Sequence, residues 1–88
     1  MKSFELEIIT PERIVFKGNS YSLVVPAYKG YLGVMAGHAP FISALGQGKI
    51  IVRQEGNDIA FTVNGGFMET TPAKTTILAD RIENAATN

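Results

Sequence analysis

At 88 residues the chain makes one small domain with a modest core; its 45% hydrophobic content argues against disorder, and 18% charged content is low for a fully exposed surface. Eight basic and eight acidic side chains cancel, and Lys2, Arg13, Lys17, Lys29, Lys49, Arg53, Lys74 and Arg81 form no run that would neutralise a row of phosphates, so neither nucleic acid nor a polybasic membrane contact is expected. With no cysteine, disulfides, thiolate zinc sites and a thiol nucleophile are excluded together.

The N-terminus, MKSFELEIIT, alternates acidic residues where a signal peptide needs an unbroken apolar run, and no stretch approaches transmembrane length. In FELEII, Phe4, Leu6 and Ile8 alternate with Glu5 and Glu7, the period-two pattern of a strand with one buried face. Thr10-Pro11-Glu12-Arg13 breaks it before a second strand, RIVFK, and Lys17-Gly18-Asn19-Ser20 turns the chain again. A third strand presents Tyr21, Leu23 and Val25 on one face and ends at Pro26. After the Lys29-Gly30 bend, Tyr31 to Met35 form a fourth.

The segment GYLGVMAGHAPF, Gly30 to Phe41, holds the only histidine. FISAL follows as a short strand or one helical turn, stopped by Gly46 and Gly48. KIIVRQ and DIAFTV flank the hairpin signal Glu55-Gly56-Asn57. Asn64-Gly65-Gly66 predicts a tight reversal into FMETT, and Thr71-Pro72-Ala73 leads to TTILA. Phe41, Phe61 and Phe67 are expected in the core. The spacing predicts an all-β, flattened antiparallel sandwich or barrel of nine or ten short strands over residues 1–80. Residues 81–88 form a tail, in which Asp80-Arg81-Ile82-Glu83 has the spacing of a capping box and predicts the start of a short helix.

Sites for chemistry are thin. His38 with Ser43, and Asp58 or Asp80 as the orienting acid, would be needed for a serine nucleophile, but no nucleophile elbow surrounds any serine. One histidine and dispersed carboxylates make a poor metal set. Glu5, Glu7 and Glu69 read as solvated strand faces rather than a glycosidase pair. GQGK fails as a phosphate loop, because Ser43 stands where its first glycine is required and Ile50 where Ser or Thr should follow the lysine. No cofactor or metal is expected. His38 is read as a turn residue bonded to the backbone, with Gly37 at positive φ beside it and Pro40 fixing the exit.

GYLGVMAGHAPF, joined to the downstream GQGKI, VNGGFMET and TTILAD, closely resembles the epsilon subunits of bacterial and chloroplast F-type ATP synthases over essentially the whole chain. That resemblance implies a ten-stranded flattened β-sandwich that clamps the foot of the gamma subunit and sits on the ring of membrane c subunits. It would be a non-catalytic rotor subunit coupling proton-driven rotation to ATP synthesis, on the cytoplasmic or stromal face, associated with the membrane only through the complex. Thr10, His38, Ala39 and Ser43 would lie along the gamma contact, and Gly30, Tyr31 and Leu32 would face the c ring.

Two positions depart from the family pattern. Tyr31 stands where family members often carry an acid, so packing or hydrogen bonding must replace charge pairing there, and Ala36 replaces the usual proline before the GHAP glycine. Most family members also continue into two C-terminal helices, so this chain is expected to dock the rotor without inserting helices among the catalytic subunits or sensing ATP. Two other classes stay open on the residues alone: a small-ligand or carbohydrate-binding sandwich, and a small hydrolase built on His38 and Ser43.

Overall fold

In a computed structural model, which describes residues 2–87 and the side chains of residues 2–83, the alternating patterns become β1 (Phe4–Ile9), β2 (Ile14–Ser20), β3 (Ser22–Ala27), β4 (Gly30–Met35), β5 (Phe41–Gln54), β6 (Asn57–Thr70), β7 (Lys74–Ala79) and β8 (Ile82–Thr87). The described residues include no helix, and so none long and apolar enough to cross a membrane.

The pairings run β2-β1-β7-β6-β5-β3-β4, with β8 also on β6. Long strands β5 and β6 make the fold two-layered. Their first and second halves take different neighbours: β7 pairs with Gly66–Thr70 of β6, whereas β8 pairs with Ile59–Val63. One layer is therefore β2-β1-β7 with the far half of β6 and the near half of β5; the other is β8, the near half of β6, the far half of β5, β3 and β4. Between them lie fully buried Leu6 and Ile8 of the first layer and Leu23, Val25, Ile50 and Val63 of the second. Each such side chain contributes about 1.5–3 kcal/mol by leaving water. Phe16 of β2 meets Phe61 of β6 edge to face at 6.1 Å, closing the layers on one another.

Several expectations are corrected by this architecture. Asn64-Gly65-Gly66 makes no reversal. β6 runs through it in unbroken register with β5, Leu45 opposite Gly66 and Gln47 opposite Asn64, and the positive φ of Gly65 (81°) and Gly66 (133°) bends the ladder from one layer to the other. The glycines of β5 likewise do not stop FISAL, so nine or ten short strands become eight among the described residues, two of them 14 residues long. Pro26 lies within β3 rather than ending it.

The helix predicted at Asp80 is a strand instead. Asp80 N–H donates to Gly65 O at 3.0 Å, and Asn64 N–H donates to Arg81 O at 3.0 Å, which holds the chain against β6 so that Ile82–Thr87 completes a ladder there. A short helix with a costly nucleus loses to a ready row of unpaired backbone groups. One pair, β1 with β7, is parallel, possible without a crossover helix because five strands intervene in the sequence.

Candidate docking surfaces

The first surface arises from strand register. Ala44 of β5 is opposite Phe67 of β6, Phe67 opposite Leu78 of β7, Leu78 opposite Ile9 of β1, and Ile9 opposite Ile14 of β2. Opposed residues share a face, and their neighbours Met68, Ile77 and Ile8 fill the core, so all five point outward. Phe67 is 57% exposed, Leu78 55% and Ile14 53%. The row is an apolar stripe across five strands, roughly 19 Å long at the usual strand spacing. Ile42, at 69%, adds to it one pleat away, in the row of Glu69, Thr76, Glu7 and Lys17. Beyond that row Lys74 bridges Glu5 and Glu7 at 3.5 and 3.8 Å, exposed enough that the pairing orders the flank more than it stabilises the fold.

Phe67 is thus not the core residue expected from sequence, while Phe61 is buried and Phe41 packs on the core margin. The signal was present in the alternation of GGFMETT: once Met68 and Thr70 point inward, Phe67 and Glu69 must point out.

Of the residues expected at the gamma contact, Thr10 adjoins the stripe; Ser43, opposite core Met68, turns from its face, and His38 and Ala39 precede β5 beside the β6–β7 turn. Thr10, 9% exposed, ties the β1–β2 turn: its hydroxyl donates to Arg13 O and accepts from Arg13 N–H, both at 3.3 Å, which sets Ile9 against Ile14. Ser43 is half-buried on β5 and donates to Ala44 O at 3.1 Å. His38 lies half-buried before β5, its ring tilted against Phe41 with centroids 4.9 Å apart, and its Nδ1 3.2 Å from Ala39 O, to which it donates in the Nδ1–H tautomer. Gly37 takes a φ of 81° and donates to Pro72 O at 2.9 Å, while Ala39 is exposed. The turn role read for His38 is what the geometry displays. Among the described residues no hydrogen bond joins His38 to Ser43, each being engaged with a neighbouring carbonyl.

The second surface is the β3–β4 hairpin. Ala27 pairs with Gly30 across a two-residue turn, Tyr28-Lys29, with Gly30 at a φ of 126°. Tyr28 at the tip is 88% exposed, the most exposed large apolar residue of the described chain and one that sequence reading passed over. Its place at the centre of a two-residue turn between strands was the available cue.

Tyr31, opposite Pro26, is 62% exposed yet anchored. Its hydroxyl accepts from Lys49 N–H at 3.2 Å and lies over Gly48, where a Cβ would come within 2.6 Å of it. Packing and hydrogen bonding thus occupy the place where a family acid would carry charge. Leu32 turns inward and packs against the core.

Polar chemistry elsewhere is sparse. Two open concave spaces, about 470 and 530 Å³, share Tyr21, Gln54 and Glu55. Tyr21 donates to Glu55 Oε2 at 3.3 Å, and the carboxylate charge, helped by some loss of water and by that bond, raises the phenol above its usual 10.0. No group of three or more potential metal ligands is assembled among the described residues.

Fold and surface together define a small two-layer β-sandwich with apolar strips on its outside. The chain belongs to the family described as the ATP synthase Delta/Epsilon chain beta-sandwich domain, which it matches over residues 3–85. It is similar to the ATP synthase epsilon chain of Pelotomaculum thermopropionicum, 44% identical over 84 residues, 96% of this chain and 63% of that one. The epsilon chain of Moorella thermoacetica is 43% identical over 86 residues, 97% and 64%. The chain therefore spans a little under two thirds of these relatives.

Two solved assemblies contain the same fold. A chain of the Euglena gracilis mitochondrial ATP synthase OSCP/F1/c-ring superposes with a TM-score of 0.86 at 19% identity, over 92% of this chain and 52% of that chain. One from the Tetrahymena thermophila mitochondrial ATP synthase central stalk and c-ring gives 0.75 at 14%, over 94% and 67%.

Proposed function

We propose that this chain is the sandwich portion of a central-stalk epsilon subunit, holding the gamma subunit against the c ring so that rotation driven by protons passes between them. The observation that carries the reading is the stripe Ala44, Phe67, Leu78, Ile9 and Ile14, a continuous apolar outer face of the kind a protein interface covers. Gamma docks on it, with Thr10 acting by fixing the turn beneath, and reaches along the open edge of β5 past Ser43 to the His38-Ala39 turn. The hairpin from Tyr28 to Leu32 meets the polar loops of the ring.

Coupling on this reading is mechanical. The subunit adds interface free energy that resists separation of gamma from the ring under torque, and performs no bond-making step itself. Membrane association follows from the complex, on the side where its catalytic head lies.

Hydrogen exchange with and without the isolated gamma subunit tests this. Slowed exchange confined to Ile42–Ala44, Phe67–Glu69, Thr76–Leu78 and the β1–β2 turn supports docking on the stripe; unchanged exchange there at saturating gamma contradicts it.

A further inference from the structure

We propose that the free edge of β4 pairs with β4 of a second copy, antiparallel about a two-fold axis at Gly33. Among the described residues β4 pairs only with β3, so its other flank presents a row of unpaired backbone groups. Proteins ordinarily defend such a flank with charge, proline or a bulge. The edge strand β2 carries Lys17 and β8 carries Glu83, and the open first half of β5 is headed by Pro40 and belongs to the stripe surface. GYLGVM has neither charge nor proline.

Register selects the pairing. Tyr31, Gly33 and Met35 face outward, Leu32 and Val34 inward, and antiparallel partners must share a face. Placing Gly33 opposite the partner's Gly33 brings each Tyr31, 62% exposed, against the partner's Met35, 61% exposed, and each Leu32 against the partner's Val34. Thioether and ring make a favourable contact, and both sheet faces continue apolar across the join. Lys29 falls opposite the partner's Gly37, so no like charges meet. Shifting the centre to Leu32 sets Met35 against the partner's Lys29; shifting it to Val34 carries Tyr31 past the end of the partner's strand. Only the Gly33 register pairs both exposed side chains.

Six residues a side make an interface at the small end of the specific range, so the dimer forms only at high concentration. On the function proposed above, Gly30–Leu32 also meets the c ring, and pairing would then cover that contact in the free subunit. This consequence rests on that function; the pairing itself does not.

The chain has no cysteine, which makes the test clean. A Cβ at Gly33 meets nothing within 4 Å, so Gly33 variants keep the fold. Across the two-fold the Cα atoms would stand about 4.5–5.5 Å apart, inside the span of a disulfide. Diamide, which takes up the two thiol hydrogens, is expected to link Gly33→Cys into a dimer. Tyr31→Cys alone is expected to stay unlinked, and to link when mixed with Met35→Cys.

In sedimentation from about 10 µM to about 1 mM the unmodified chain is expected to move from monomer toward dimer. Gly33→Lys and Gly33→Glu should each remain monomeric, and their mixture should associate. An unmodified chain that stays monomeric throughout, or a Gly33→Lys chain that associates as the unmodified one does, overturns the proposal. Neither result bears on gamma binding, which is measured separately.

Discussion

Phe67 of β6 stands directly opposite Leu78 of β7 on the outer face, and both keep more than half their surface in water. A chain this small, with this few charges, leaves two large apolar side chains together in solvent when something else covers them. Phe67→Ser and Leu78→Ser are each expected to lower affinity for gamma by tenfold or more, roughly 1.4 kcal/mol, with a stability change within about 1 kcal/mol. Leu6→Ala, by contrast, should lose about 2–5 kcal/mol in urea unfolding, because Leu6 is fully buried.

The anchoring of Tyr31 over Gly48 makes a second prediction. Gly48→Ala puts a methyl within 2.6 Å of the Tyr31 hydroxyl and 2.9 Å of Pro26 Cβ, so it should destabilise by about 1–3 kcal/mol. The ring can yield and the proline cannot. Tyr31→Ala added to Gly48→Ala should therefore recover part of the loss, measured as a coupling in a double-mutant cycle.

Thr70 and Thr75 form a buried hydroxyl pair, Oγ1 to Oγ1 at 2.6 Å, where β6 meets β7. Thr75→Val removes one partner and is expected to cost about 1–3 kcal/mol; the double change to valine should cost less than the sum of the two single changes. Thermal unfolding of the four proteins checks the order.

Tyr21 supplies a pH dependence. Its folded pKa lies above its unfolded value of 10.0, first because of the Glu55 charge. The unfolded chain therefore ionises first, and the associated stability is full below about pH 10 and is lost as pH rises through the folded value. Relative to Tyr21→Phe, the wild-type chain should lose stability above that pH, slightly, because the phenol is in water.

Much of the fold was legible because strand alternation is local. Phe4, Leu6 and Ile8 point inward as their spacing requires, and Gly56, with a φ of 70°, turns the β5–β6 hairpin as its sequence announces. What failed was the meaning of glycine. Gly46, Gly48, Gly65 and Gly66 look like turn residues in one dimension, but here they let two long strands bend together between layers. Gly66 also sits where a Cβ would come within 2.3 Å of Leu78 O, a demand set by a neighbouring strand and invisible in its own neighbourhood.

The docking surfaces divided the same way. His38 as a turn residue followed from local chemistry, whereas packing or hydrogen bonding at Tyr31 was expected only from its departure from the family pattern. The stripe did not, because Ala44, Phe67, Leu78, Ile9 and Ile14 are brought into line only by cross-strand register.

The most direct measurement is a calorimetric titration of this chain with the isolated gamma subunit at several temperatures, repeated with Phe67→Ser. One-to-one binding with a negative heat-capacity change, weakened at least tenfold by the substitution, is the expected result, since burial of the apolar stripe is what drives it. No heat at any temperature with folded gamma, or binding that Phe67→Ser leaves unchanged, would contradict gamma docking on the stripe.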